Sequence, residues 1–154
     1  MAFLLTEEHY NILKEDLDDF LDNSEANAVL LCDRGGNIIV NSGDSVEGEA
    51  DLISALVAGA FAATQQLASV LGEKEFTAIF HQGVKKSIFI SSVGEEVLLL
   101  ALFSDNTNAG LVKMYALTVC RKMLNLVRDI MDEQQVASND PTASFVLGKG
   151  PIFD

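Results

Sequence analysis

Residues 77–104 read TAIFHQGVKKSIFISSVGEEVLLLALFS, and this stretch decides the fold. Three β-rich runs, about Thr77–Gln82, Ser87–Val93 and Val97–Ser104, are separated by the turn sequences GVKK and GEE. Turns this short join antiparallel neighbours, because a parallel pair needs a long crossover connection. The third run is almost continuously apolar, which is typical of a central strand covered on both faces. We therefore expect a three-stranded antiparallel unit that ends in a central strand.

Two more strands and three helices are predicted around this unit. Ala28–Cys32 and Ile38–Val40 flank the sequence DRGGN, whose Asp, Gly and Asn residues favour a hairpin turn. A first helix is expected after the N-cap residue Thr6, and a third after Thr107 or Asn108. The apolar stripe of the first helix comprises Tyr10, Leu13, Leu17, Phe20 and Leu21. The order α-β-β-α-β-β-β-α predicts an α+β fold, an α/β sandwich. Its five-stranded antiparallel sheet has one helix on one face and two on the other.

The second helix, residues 51–71, is unusual because it has no charged residue from Leu52 to Leu71. Average composition predicts about five charged residues in twenty. We assign one of its faces to the core as the expected apolar stripe: Leu52, Ile53, Leu56, Ala60, Ala63, Leu67, Val70 and Leu71. The opposite face then carries Ala55, Ala58, Gly59, Ala62, Gln65, Gln66 and Ser69. Asp51 is expected to cap the start of this helix and Gly72 its end.

The small residues of the second helix recur at a spacing that allows another backbone to approach closely. Ala55, Gly59 and Ala63 are four residues apart, and Ala58 with Ala62 forms a second such row. One interpretation is a helix buried inside a single larger core. The chain has few elements left to cover that side, so we expect the helix to face another chain, as exposed apolar faces commonly do.

Composition and charge exclude several classes of protein. The 154 residues are 49% apolar and 21% charged, an ordinary globular mixture. The net charge of -13 disfavours nucleic acid and anionic membrane surfaces as partners. Polar residues interrupt every apolar stretch of eighteen, which argues against a membrane span. The start MAFLLTEE has no basic region, so we expect no secretory signal and a cytoplasmic protein.

The organisation predicted along the chain is one domain over residues 1–134 and a flexible tail over residues 135–154. Helical periodicity is lost beyond Asp132, and the sequences NDP and GKGP interrupt the remaining residues.

Reactive groups are sparse. The thiols are Cys32 and Cys120 and the imidazoles are His9 and His81, with no short paired spacing for a metal and no phosphate loop for a nucleotide. We therefore predict no metal, no cofactor and no catalytic residue. Cys32 and His81 leave open a hydrolase, although no third residue is evident to orient the histidine.

Several short motifs resemble the Roadblock/dynein light-chain family, and within it the bacterial MglB subfamily. They are AATQQLA at 62–68, LGE at 71–73, Phe76, HQG at 81–83, Phe103 and GLVK at 110–113. The resemblance covers about residues 5–131, and the run from 62 to 83 is its most specific part.

The resemblance implies a homodimer in which the third strands pair edge to edge and the second helices pack side by side. It further implies that the dimer binds one MglA-like, Ras-type GTPase through the second-helix side, accelerates GTP hydrolysis and helps set polarity in motile bacteria. The family favours a GTPase conformation in which the partner's own residues are placed for catalysis, without an inserted arginine. In agreement, Arg34 is the only arginine in a predicted loop, whereas Arg121 and Arg128 lie on a helix.

By position, the resemblance implies partner-binding roles on the second helix for Ala55, Ala58, Gly59, Ala62, Gln65, Gln66 and Ser69, and Ala58 and Ala62 are the expected GTPase contacts. His81, Gln82 and Gly83 are expected at the dimer edge or its turn. The tail residues Phe145, Val146, Leu147, Ile152 and Phe153 are candidates for an anchoring segment. Two alternatives stay open: a scaffold that binds its partner without altering hydrolysis, and small residues that only pair the two protomers.

Overall fold

The computed structural model describes residues 5–44 and 48–139, with side chains as far as residue 134. The elements are α1 (Glu7–Ser24), β1 (Ala28–Asp33), β2 (Ile38–Gly43), α2 (Ala50–Leu71), β3 (Ala78–Gln82), β4 (Ser87–Val93), β5 (Val97–Phe103) and α3 (Ala109–Asn139). The predicted order α-β-β-α-β-β-β-α and the α+β class are confirmed.

The five strands form one sheet in the order β2-β1-β5-β4-β3, and every neighbouring pair is antiparallel. β5 lies in the middle, as its continuous apolar sequence predicts, and only Leu102 among its residues is not fully buried. β2 and β3 are the edge strands. The sheet therefore has two edges at which a further strand can add.

Alternating side chains of the central strands supply two separate cores. On one face, Leu31, Leu99 and Ala101 pack against α1 and α3. On the other face, Leu30, Leu98 and their neighbours pack against α2 alone. Side chains alternate along a strand, so a continuously apolar strand such as β5 serves both cores. The prediction of one helix on one face and two on the other is confirmed.

Side-chain caps fix the starts of α1 and α3. The Oγ1 atom of Thr6 accepts the N–H of His9 at 3.0 Å, and the Oδ1 atom of Asn108 accepts the N–H of Leu111 at 2.9 Å. Asn108, one of the two predicted residues, therefore caps α3, while Thr107 donates its hydroxyl to the Ser24 carbonyl. These hydrogen bonds satisfy amides that have no partner inside the helix.

α3 continues to Asn139, beyond the point where the sequence pattern ends near Asp132. The domain boundary predicted at residue 134 thus falls inside a helix. The rest of the predicted tail, including its candidate anchoring residues, lies outside the described residues.

The orientation predicted for α2 is wrong. Leu52, Leu56 and Val70, which we assigned to the core, are 62%, 64% and 83% exposed in the single chain. Buried instead are Ser54, Val57, Ala58, Phe61 and Ala68, with Ile53 partly buried beside them. A helix that is apolar all round gives periodicity no polar face from which to set its orientation.

The ends of α2 agree with only one of the two predicted caps. Glu49 occupies the N-cap position without a side-chain hydrogen bond, and Asp51 lies inside the first turn, so the predicted Asp51 cap is wrong. Gly72 ends the helix with φ +82°, and its N–H donates to the carbonyls of Ala68 and Ser69, as predicted. Glycine adopts this left-handed conformation without steric cost.

The length and composition of α2 are sufficient for a membrane span, and among the described helices α2 alone is both long enough and apolar enough. The sequence argument against such a span counted interruptions by uncharged polar residues, but these do not by themselves prevent a helix from being apolar enough to cross a membrane. In this fold, Val57 and Phe61 of α2 pack on the sheet, so one side of the helix is covered by the chain itself.

Candidate interaction surface

The outer face of α2 is an exposed apolar stripe, defined here as Leu52, Leu56, Gly59, Ala63, Leu67 and Val70. These residues follow one another in steps of four and three, the spacing that places side chains on one face of a helix. The side chains at the centre of the stripe, Gly59 and Ala63, are small, and those at its two ends are large. Such a surface accepts a neighbouring backbone closely at its middle and packs leucines at its ends. Sequence reasoning placed the large members of this face in the core.

The predicted partner-binding residues of α2 divide into exposed, half-buried and buried positions. Ala55, Gly59, Ala62, Gln66 and Ser69 are exposed and flank or belong to the outer face. Gln65 is half-buried, and its Nε2 atom donates to the Phe76 carbonyl at 3.0 Å, which ties α2 to the segment before β3. Ala58 is only 7% exposed and is thus buried within the single chain. A large substitution at Ala58 would therefore disturb the core as well as any interface.

Gly59 is open to solvent in the single chain. A Cβ atom built on Gly59 meets no atom outside the local helix backbone within 4 Å, and the residue has ordinary helical φ. Glycine in the middle of a helix costs about 0.5–1 kcal/mol relative to alanine. Nothing within the described part of the chain requires glycine at this position.

The outer edge of β3 presents unpaired backbone groups. The Thr77 carbonyl accepts the Ser92 N–H at 3.0 Å, so Thr77 directs its polar groups toward β4. Because direction alternates along an antiparallel strand, the N–H and C=O groups of Ala78, Phe80 and Gln82 point away from β4. No strand in the described part of the chain pairs with them. This edge can accept a strand from another molecule.

The three residues predicted at this edge lie together at the end of β3. His81 and Gln82 are exposed in the strand, and Gly83 begins the turn to β4. A Cβ atom at Gly83 would lie 2.2 Å from the Lys86 carbonyl oxygen, so the turn requires glycine there. Phe80, which sequence reasoning missed, is 43% exposed at this edge and stacks on Phe103 with a centroid distance of 6.0 Å.

The β1–β2 turn lies beside the N-terminal half of α2. Ser54 donates its hydroxyl to the Gly36 carbonyl at 2.7 Å, and a Cβ atom on Gly36 would lie 2.8 Å from the Ala55 Cα atom. Gly36 also has φ +89°, which favours glycine. The close approach joins the turn to the exposed surface of α2, since Ala55 is one helical turn from both Leu52 and Gly59.

The structure does not bring Cys32 and His81 together. Cys32 lies on β1 and His81 on β3, and the strands β5 and β4 separate them. At about 4.8 Å between neighbouring strands, the separation is about 14 Å. Burial raises the pKa of Cys32 to about 12 and that of Cys120 to about 11, so neither thiol forms the thiolate that a nucleophile needs. A hydrolase that relies on Cys32 and His81 as a pair is therefore not consistent with this arrangement.

Among residues 5–44 and 48–139, no group of three or more His, Cys, Asp or Glu side chains could hold a metal ion. The features that distinguish the described surface are the apolar outer face of α2 and the unpaired edge of β3. Both are features of proteins that bind other polypeptides.

The family model of the Roadblock/LC7 domain matches residues 12–103, and the chain belongs to this family. Its fold is similar to that of the gliding protein MglB from Thermus thermophilus, with 28% identity and a TM-score of 0.79 over 83% of this chain and 97% of that one. It is also similar to an MglB with a tetrameric arrangement, with 27% identity and a TM-score of 0.80 over 84% of this chain and 97% of that one. The similarity to Myxococcus xanthus MglB has 28% identity and a TM-score of 0.74 over 78% of this chain and 98% of that one. Within the family the chain is thus MglB-like. A comparison with curated proteins gave no significant match.

Proposed function

We propose that this protein is a homodimeric regulator of a small Ras-like GTPase of the MglA type and stimulates GTP hydrolysis by that partner. The likeness to three MglB structures supports the class of regulator. The observation that carries the proposal is the exposed apolar outer face of α2, where Leu52, Leu56, Leu67 and Val70 lie in one row on an uncharged helix surface. The proposed setting is the bacterial cytoplasm, at a cell pole, in motility or polarity.

The proposed dimer joins two copies at the β3 edge. The outward groups of Ala78, Phe80 and Gln82 would pair with the same groups of the second copy and extend the sheet to ten strands. α2 borders β3 in sequence and is hydrogen-bonded to the intervening segment through Gln65, so the two α2 helices would come side by side. The GTPase would dock on the surface that the two helices form together.

The regulator would act without inserting an arginine. Arg121 and Arg128 lie on α3, which packs on the sheet face opposite α2. Arg34 lies on the α2 side, but its guanidinium sits 5.0 Å above the Phe61 ring instead of extending from the surface. Stimulation would therefore come from tighter binding to the GTPase conformation that places its own catalytic residues, a difference in affinity between two states.

A single-turnover assay with a GTP-loaded Ras-like GTPase tests this function. The full chain is expected to raise the hydrolysis rate, and Ala62→Arg is expected to abolish the increase by placing a charge on the exposed α2 surface. Asn125→Arg is the matched control, because it adds the same charge on exposed α3.

Binding without any increase in hydrolysis would favour the scaffold and contradict the proposal. Full stimulation by Ala62→Arg would show that the GTPase does not dock on α2.

A further inference from the structure

Phe80 lies on the edge strand β3 and is 43% exposed in the single chain. Its ring stacks on Phe103, which places it on the face of the sheet that carries α1 and α3. Directly opposite Phe80 on β4 is Phe89, which is buried, so the two phenylalanines stand in one row across the strands. A row of aromatic side chains therefore ends, half covered, at the unpaired edge of the sheet.

The surface beside Phe80 is an open cavity of about 280 Å³. Residues of β3, β4 and the start of α3 line this cavity, and Lys113 is the one charged residue among them. Apolar surface beside an unpaired strand is covered when another strand adds to that edge. The proposed dimer brings a second β3 to this place, so we identify the second copy as the molecule that covers Phe80.

The backbone of β3 restricts how the two copies can pair. Residues that point outward must face outward-pointing residues of the other strand, so a two-fold axis through β3 lies at Ile79, Phe80 or His81 if more than one outward residue is to pair. With the axis at Phe80, this residue faces itself, and Ala78 faces Gln82 of the second copy. All outward residues of β3 then have partners, with about six hydrogen bonds at two for each pair.

The register centred on Ile79 conflicts with a hydrogen bond that the chain already makes. In that register Gln82 faces Phe76 of the second copy, a residue that precedes β3. The Phe76 carbonyl accepts the Nε2 atom of Gln65 at 3.0 Å, which links α2 to this segment. Only two residues of each strand are then left to pair.

The register centred on His81 also leaves one outward residue of β3 without a strand partner. Ala78 would face Val84, which lies in the turn after β3. Phe80 would face the polar side chain of Gln82. The register centred on Phe80 is the one that sets aromatic against aromatic, a favourable cross-strand pair.

We propose that Phe80 lies on the two-fold axis of the dimer, opposite Phe80 of the second copy, and fixes the register of the ten-stranded sheet. This inference rests on the dimer of the proposed function and adds its register. The aromatic row then runs from Phe89 through both Phe80 rings to Phe89 of the second copy. A shift to the next register would displace the second copy by two residues, about 7 Å along the strand. The register therefore sets the offset between the two α2 helices and the shape of the surface that they form.

Disulfide trapping distinguishes the three registers without the GTPase. In the proposed register Ile79 faces His81 of the second copy, as a pair without mutual hydrogen bonds and with Cα atoms about 4.5 Å apart. This distance suits a disulfide, whereas two copies of either residue lie about 8 Å apart, which is too far. Co-expressed Ile79→Cys and His81→Cys chains should therefore cross-link as a mixed dimer, identified by its mass. Neither variant should cross-link alone.

The unchanged chain is the control for trapping. Its two thiols, Cys32 and Cys120, are buried and should give no cross-linked dimer. Cross-linking of Ile79→Cys alone or of His81→Cys alone would identify another register. Either result would overturn the inference and leave the dimer of the proposed function intact.

A second measurement removes the ring itself. Phe80→Ala should raise the dissociation constant of self-association by about ten- to one-hundred-fold, because the dimer loses two aromatic side chains at the centre of its interface. Ile12→Ala is the matched control, since Ile12 is 40% exposed on α1, which packs beside β2 at the other edge of the sheet. It should associate as the unchanged chain does. Sedimentation gives the constants, and circular dichroism shows that each variant is folded at the concentrations used.

Equal self-association of Phe80→Ala and the unchanged chain would overturn the inference. A dimeric chain that cross-links in no combination would do the same, because the two copies would then meet elsewhere. If the unchanged chain sediments as a monomer at every concentration, the dimer of the proposed function fails and the register fails with it.

Discussion

Replacing Gly59 by alanine separates the stability of the chain from its capacity to bind. The added Cβ atom meets nothing outside the local helix backbone within 4 Å, and the helical φ suits alanine. The substitution should therefore stabilise the single chain by about 0.5–1 kcal/mol, the usual difference between glycine and alanine in a helix interior. For a chain of this size, 1 kcal/mol corresponds to a rise in Tm of about 2–4 °C.

Association should change in the opposite direction. If a second α2 or the GTPase approaches closely at Gly59, the methyl group overfills the contact at a cost of about 1–3 kcal/mol. This is about a 5- to 150-fold rise in the dissociation constant. The assay combines urea unfolding of dilute protein with sedimentation measurements of self-association and a titration with the GTPase.

The control for Gly59→Ala is Asn125→Ala, which raises helix propensity at an exposed position of α3 by up to about 0.7 kcal/mol. It should stabilise the fold and leave both associations unaltered. If Gly59→Ala stabilises the chain and binds both partners as tightly as the unchanged protein, the small-residue centre is not a contact and our reasoning about α2 is refuted.

Three further predictions concern the fold. The buried thiols of Cys32 and Cys120, with pKa values raised to about 12 and about 11, should resist a thiol reagent at mildly alkaline pH and react fully once urea unfolds the chain. Rapid labelling of the native protein would contradict this. Asp33→Ala leaves the N–H groups of two turn residues without their acceptor and should lower the free energy of unfolding by about 1–3 kcal/mol in urea titrations. An unchanged urea unfolding midpoint would contradict this prediction. A hydrogen bond and the charge of Asp16 raise the pKa of Lys122 above 10.5. The stability that this ion pair contributes is thus complete below pH 10.5 and is lost as the pH rises through the raised pKa. Lys122→Met should therefore reduce the fall of the urea unfolding midpoint with rising alkaline pH. An equal fall in both proteins would contradict the pairing.

Local sequence signals predicted most of the fold because each depends on neighbouring residues. The caps at Thr6 and Asn108, the C-terminal glycine at Gly72 and the central position of β5 follow from short-range chemistry and from an uninterrupted apolar run. The antiparallel sheet follows from the short turns.

The orientation of α2 could not be predicted in this way. Leu52 and Phe61 are equally apolar in sequence, yet only Phe61 packs on the sheet. Which face of α2 packs on the sheet depends on tertiary contacts such as the hydrogen bond from Ser54 to Gly36. The spacing of apolar residues along the helix does not reveal such contacts. The same limit applies to Arg34, because its contact with Phe61 joins residues far apart in sequence.

The most direct test of the central claim is hydroxyl-radical footprinting of the exposed α2 side chains with and without the GTP-loaded GTPase. We predict that oxidation of Leu52, Leu56 and Val70 falls toward that of the buried residue Leu13 when the GTPase is added. Met114, 51% exposed on α3, should react equally in both samples. If the three α2 residues remain as reactive with a bound GTPase as without it, the partner docks elsewhere and the account is contradicted.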